Sequence, residues 1–151
     1  MASTNGIIGS VLSVLNDTSK LADPIAGRNG SFFFGPNQQL EFRYNAPKGK
    51  VTGGVTFSDD FSFGSPKRRS KHYNIHVGFF TPTGFVGSGN IFKNEELVND
   101  YMERIEQTIM NNMRSIGHVT LESVEIEEEP FFIEEQNVYG ARQLFVFEDR
   151  K

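Results

Sequence analysis

Three histidines are the first residues to test for chemistry, because imidazole binds metal ions and exchanges protons near neutral pH. His72 and His76 lie four residues apart in an alternating segment that predicts a β-strand, and His118 is distant in the sequence. Strand residues four apart share one face but lie about 13 Å apart along it. Because that spacing is too long for both imidazoles to bind one ion, we expect no metal site and no histidine-based catalysis.

A small enzyme remains an alternative because two loops carry polar residues. Asp59-Asp60 could form a carboxylate pair, Ser62 or Ser65 could supply a hydroxyl, and His76 could join them in a pocket. No nucleophile motif such as G-x-S-x-G accompanies these residues. The glycine-rich segment 84–90 precedes a predicted helix, but it lacks the lysine and the glycine spacing of a phosphate-binding loop. We therefore expect a protein that is not an enzyme and needs no cofactor.

Two clusters of opposite charge, the acidic one followed by two phenylalanines, are the candidate partner-binding residues. They are Lys67, Arg68, Arg69, Lys71, Glu127, Glu128, Glu129, Phe131 and Phe132. Charged runs are most often solvated surfaces. Opposite patches on one chain also suit head-to-tail association, in which the basic loop of one subunit meets the acidic edge of the next.

A nucleic-acid-binding module is the third possibility for the basic cluster. Residues 67–71 could contact phosphates, while Tyr73 and Phe63 could stack on bases. The net charge of the whole chain is −4, however, so the composition lacks the basic character of nucleic-acid-binding domains. Direct contact with nucleic acid is not what we expect.

The length of the chain predicts one domain spanning residues 1–151, because domains usually contain about 100–150 residues. Cysteine and tryptophan are absent, whereas phenylalanine occurs 15 times. Phenylalanine supplies apolar contact area without a polar group, which suits cores and protein interfaces. No apolar run approaches the roughly 18 residues that a membrane span needs, so no membrane association is expected.

The elements that must position these residues follow from hydrophobic periodicity. Ile7 to Leu15 predicts a short first helix after a flexible terminus at 1–6, and a long helix is predicted from Asn94, its capping residue, to Gly117. Alternating segments before and after the long helix predict strands, and residues 58–71 and 81–92 are expected to be long loops. The predicted fold is α+β, with a mostly antiparallel sheet packed by the long central helix and the short N-terminal helix.

Two details of the predicted strands bear on the fold. Val119 and Leu121 stand at odd-numbered positions, whereas Val124 and Ile126 stand at even-numbered ones. Since alternate residues of a strand share one face, this change predicts a bulge near Glu122-Ser123. The segment 130–133 follows three acidic residues and is typical of a loop or a strand end, while 40–44 alternates as a further strand.

The order of these segments resembles the tail terminator, or tail completion, proteins of tailed bacteriophages. The features that carry the resemblance are the short first helix, an extended region ending at Arg69–Val77, the helix Glu95–Ser115, and closing strands ending at Tyr139–Phe147. Head-completion and neck connector proteins have similar shapes and remain alternatives.

The resemblance implies a subunit of a hexameric ring that caps the finished tail tube and joins it to the neck. The partners would be other copies of the chain, the tube protein, the neck or connector protein and, in a contractile tail, the sheath protein. The family has no catalytic residues and no cofactor, and its mobile loops, matched here by Ser58–Lys71 and Thr81–Phe92, make the tube and neck contacts. The expected location is the virion, at the tail–neck junction, after assembly in the host cytoplasm.

Overall fold

The computed structural model describes residues 4–17, 19–21, 31–34, 52–58, 72–82, 91–133 and 138–149. Its elements, in chain order, are helix α1 (Thr4–Leu15), strands β1 (Ser31–Phe34), β2 (Thr52–Ser58) and β3 (His72–Pro82), helices α2 (Ile91–Asn111) and α3 (Met113–Ile116), and strands β4 (Val119–Ile133) and β5 (Val138–Asp149). The predicted strand at 40–44 lies outside the described residues, as does most of both predicted loops.

The described strands form one sheet in the order β1-β2-β3-β5-β4. Only the β1–β2 pair is parallel, and the other three pairs are antiparallel. Both longer helices contact the same face, since α1 touches β1 and β2 while α2 touches β4 and β5. The α+β prediction, with a mostly antiparallel sheet packed by two helices, is therefore confirmed.

The core lies between this face and the helices, as strand parity predicts. Tyr73, Ile75, Val77 and Phe79 of β3 are buried, and so are the inward residues of β5. The Phe79 and Tyr101 rings meet edge to face, with their centroids 5.0 Å apart. Each such side chain contributes roughly 1.5–3 kcal/mol through burial. We call the opposite face of the sheet the outer face.

The long helix differs from its predicted extent at both ends. It begins at Ile91, three residues before Asn94, so Asn94 is not its cap. It ends at Asn111, because the Asn112 amide side chain donates to the Thr108 carbonyl oxygen at 2.7 Å and competes with the backbone bond that would continue the helix. Gly117 follows α3 with φ 130° and ψ −165°, a positive-φ conformation outside the left-handed helical region.

The strand boundaries shorten both predicted loops and lengthen β4. Ser58 belongs to β2, Thr81 and Pro82 belong to β3, and residues 91 and 92 belong to α2. The segment 130–133 forms the end of β4. The bulge predicted near Glu122 is present, and two further register shifts follow, between Ile126 and Glu128 and between Glu128 and Phe131.

Candidate functional site

The outer face carries both histidines of β3, but each contacts its own glutamate on β4. His72 and His76 alternate with the buried residues of β3, so their side chains lie on one face of the sheet, as predicted. They are mostly covered, with 11% and 15% of their side chains exposed. The structure thus contains two separate histidine–glutamate groups, four residues apart on one strand.

The first group, which we call the His72 cluster, consists of His72, Glu122 and Glu148. His72 and Glu148 are direct neighbours across β3 and β5, and Nε2 of His72 lies 4.0 Å from Oε2 of Glu148. Glu122 comes from the first bulge of β4 and accepts a bond from the same Nε2 at 2.6 Å. The candidate ligand atoms of all three residues lie within 4.8 Å of one another.

The second group, the His76 cluster, consists of His76, Ser58, Glu127, Glu128 and Arg142. Nδ1 of His76 donates to the Glu127 carboxylate, and Nε2 lies 2.7 Å from the Ser58 hydroxyl. Arg142 adds a permanent cation, with Nε 3.5 Å from Oε1 of Glu127 and Nη2 3.3 Å from Oε1 of Glu128. Each charged group in this cluster therefore has a partner of opposite charge or a hydrogen bond.

A partly buried hydrogen bond lies beneath the His72 cluster, on the inner face. The Tyr73 hydroxyl donates to Oδ1 of Asp149 at 3.1 Å, and these residues directly follow His72 and Glu148 in the sequence. Burial, followed by the hydrogen bond and the negative charge of Asp149, raises the pKa of Tyr73 above its ordinary value. The bond joins the start of β3 to the end of β5.

The predicted partner-binding residues of the acidic side all lie on β4. Glu127 and Glu128 are already paired within the chain, as described above. Glu129 is exposed and forms no ion pair with any other described residue. Phe131 is half-buried opposite Gly140, and Phe132 is in register with Tyr139. Lys67, Arg68, Arg69 and Lys71 lie outside the described residues, so partner binding stays a prediction for both sides.

An open apolar groove lies beside β4, where the long helix ends. It has a volume of about 260 Å³ and is lined by Met110, Met113, Val119, Thr120 and Leu121. Met110 is 48% exposed.

The residues of the enzyme alternative are not brought together in the described part of the chain. Asp59, Asp60, Ser62, Ser65 and segment 84–90 lie outside it. Sequence reasoning missed the approach of Glu122 and Glu148 to His72, and also the approach of Arg142 to Glu127. The change of parity at the first bulge was the one signal of Glu122, since a bulge redirects a side chain.

Comparison with known proteins identifies no family for this chain. No family model matches the sequence, and no curated protein matches it. Within the described residues, no helix combines the length and the apolar character that crossing a membrane requires.

Proposed function

We propose that this chain is a structural subunit of a tailed bacteriophage that associates with its own copies into a ring, as tail terminator proteins do. The ring would cap the tail tube and join it to the neck. The resemblance in segment order suggests this class of protein, and the position of β4 at the edge of the described sheet is the observation that supports it best. A head-completion or neck subunit would use the same kind of contact.

β4 is a 15-residue strand at one edge of the described sheet. An edge strand presents backbone N–H and C=O groups that a neighbouring chain can pair with. Ile126, in the middle of β4, is 57% exposed, and the groove beside Met110 adds apolar surface at the same edge. These features support a contact with another protein chain.

The charges of β4 indicate which kind of contact is possible. Glu125 and Glu129 are both exposed, and neither forms an ion pair with another described residue. A symmetric dimer that pairs two β4 edges would bring these acidic residues together, and like charges across paired strands are destabilising. A head-to-tail contact with a basic surface avoids that repulsion, and head-to-tail contacts produce rings when the rotation closes.

The sequence contains a basic segment with the charge that such a contact needs. Lys67, Arg68, Arg69 and Lys71 form a cluster whose charge complements Glu125 and Glu129. A contact of this kind uses two different surfaces of each subunit, so every copy in the ring makes the same two contacts. Charge complementarity would also fix the register between subunits.

The test is charge reversal followed by mixing. We expect the wild-type protein to give a single assembly mass in native mass spectrometry and closed rings with a central opening in negative-stain images. Glu125→Lys with Glu129→Lys should abolish assembly, and so should Arg68→Glu with Arg69→Glu. Mixing the two variants should restore part of the assembly. The new lysines of the first variant can then meet the new glutamates of the second, and the unchanged basic segment of the first can meet the unchanged glutamates of the second.

The control is Glu103→Lys, which changes the same charge on an exposed position of α2 and should leave the assembly mass unchanged. A wild-type protein that stays monomeric at every concentration tested would contradict self-assembly. DNA binding that weakens steeply with salt, and that only the Arg68 and Arg69 variant loses, would instead support the nucleic-acid-binding alternative.

A further inference from the structure

The His72 cluster gathers three potential metal ligands from three neighbouring strands. His72 and Glu148 are adjacent because β3 and β5 pair in register, and Thr120 of β4 is the direct neighbour of Glu148. The bulge between Leu121 and Ser123 lets Glu122 reach the imidazole on the far side of β5, at 2.6 Å. The arrangement is therefore built by strand order and register as well as by side-chain reach.

Within the described residues, the two carboxylates of this cluster face one imidazole and no permanent cation. Glu122 and Glu148 both face one imidazole nitrogen, and a single N–H donates its bond mainly to one of them. Neither carboxylate forms an ion pair with a described lysine or arginine. Two carboxylates held close together repel each other, and a cation between them removes that repulsion.

We propose that His72, Glu122 and Glu148 bind one divalent transition-metal ion, with Zn²⁺ as the expected ion. One imidazole and two carboxylates are ligands that Zn²⁺ accepts, whereas Mg²⁺ and Ca²⁺ prefer oxygen ligands alone. Zn²⁺ bonds to nitrogen and oxygen at about 2.0–2.2 Å, so its ligands lie roughly 3.4 Å apart around a tetrahedron.

The present distances are compatible with that geometry after small movements of the side chains. The ligand atoms lie within 4.8 Å of one another, and Glu122 is the most exposed of the three, with 47% of its side chain accessible. Rotation of the two glutamates can open the 2.6 Å contact and shorten the longer ones without moving the strands. Three protein ligands leave a fourth position for water or for a group of another molecule.

Metal binding would join β4 to β3 across β5. Glu122 lies near the start of the edge strand, while His72 begins β3 and Glu148 lies near the end of β5. An ion held by all three would stabilise the folded state, because the unfolded chain does not hold these ligands together. This inference does not depend on the proposed function, because it concerns a single chain.

The experiment measures Zn²⁺ binding to the tag-free, metal-depleted protein by isothermal titration calorimetry, with Co²⁺ absorption spectra as a second readout. We expect one ion for each chain. The variants His72→Gln, Glu122→Gln and Glu148→Gln should each weaken binding at least tenfold. The thermal midpoint without metal shows whether each variant is folded, and the three variants test the site independently.

His76→Gln is the matched control, because His76 lies on the same strand and face and also contacts a glutamate. Neither this variant nor His118→Gln, at an exposed position, should change the affinity. Equal weakening by the control variants would show adventitious binding to surface histidines and would overturn the proposal. So would a lack of effect of Glu122→Gln and Glu148→Gln, or a stoichiometry that does not saturate at one ion.

Discussion

The two histidine clusters of the outer face have similar origins and different charge balances. Both use a β3 histidine and a β4 glutamate, and they begin four residues apart on one strand. In the His76 cluster, Arg142 contacts Glu127 and Glu128, so a permanent cation offsets both carboxylates. In the His72 cluster the second carboxylate is Glu148, and no described arginine or lysine pairs with either glutamate.

The difference shows how one polar sheet face can contain an internal ion-pair network beside a site open to a ligand. A guanidinium can donate five hydrogen bonds in a fixed plane and never loses its charge, which suits a structural role. An imidazole between two carboxylates leaves negative charge uncompensated. The same β4 strand thus supplies glutamates for an internal ion-pair network and for our proposed metal site.

Adding a permanent cation to the His72 cluster should weaken Zn²⁺ binding, and this is the largest effect that we expect. Thr120 is exposed and directly opposite Glu148, just as Glu128 is opposite Arg142. Thr120→Arg would therefore reproduce the charge pairing of the His76 cluster without removing any ligand. Unit charges about 4 Å apart near a protein surface interact by about 4 kcal/mol, so a tenfold loss of Zn²⁺ affinity, about 1.4 kcal/mol, is a conservative expectation.

The control for this change is Thr120→Gln, which introduces a long polar side chain without a charge. Calorimetric titration of both variants separates electrostatic from steric effects. Equal loss of affinity in the two variants would show that the added cation is not responsible, and the contrast between the clusters would then lack its physical basis.

Removing the cation from the His76 cluster should have a smaller effect on stability. Arg142→Gln would leave Glu127 and Glu128 without their guanidinium partner, at a cost of about 1 kcal/mol, because the pairs are partly exposed. These glutamates lie at the irregular part of β4, beside its second and third register shifts. Amide hydrogen exchange should therefore accelerate over residues 127–131 and change little over 119–124, with Zn²⁺ affinity unchanged. Uniform acceleration along β4 would contradict this local role.

The sequence predicted those features of the fold that depend on local periodicity. The shared face of His72 and His76 was correct because strand side chains alternate strictly and one face is buried. The bulge at Glu122 was correct because the change in apolar parity is a local signal. The C-terminal end of the long helix was wrong because a competing local bond decides it, from the Asn112 side chain to the Thr108 carbonyl.

The two clusters could not be predicted, because they depend on long-range register. Seven glutamates lie near or within the β4 segment, and nothing local indicates which of them faces which histidine. The pairing of His72 with Glu122 requires β5 to lie between β3 and β4, and requires a bulge at one particular position. Two histidines four residues apart on a strand lie too far apart for one ion, but one histidine can combine with glutamates from neighbouring strands.

The two clusters also differ in what lies beneath them on the inner face of the sheet. The hydrogen bond from Tyr73 to Asp149 lies beneath the His72 cluster and not beneath the His76 cluster. Because the pKa of Tyr73 is raised in the folded state, its contribution to stability is present below its unfolded pKa, near 10.0, and is lost as pH rises through the folded pKa. Tyr73→Phe should cost about 0.5–1.5 kcal/mol at pH 7 and should reduce the alkaline loss of stability.

Urea unfolding at neutral and alkaline pH measures both effects, and absorbance at 295 nm follows tyrosine ionisation. Asp149→Asn is the informative partner variant, because it keeps a hydrogen-bond acceptor but removes the charge that helps to raise the pKa of Tyr73. We expect Tyr73 to ionise at lower pH in that variant. Since the bond joins the start of β3 to the end of β5, Tyr73→Phe should also weaken Zn²⁺ binding, by less than Thr120→Arg does. Unchanged alkaline stability in Tyr73→Phe would show that this bond does not hold the strand ends beneath His72 and Glu148.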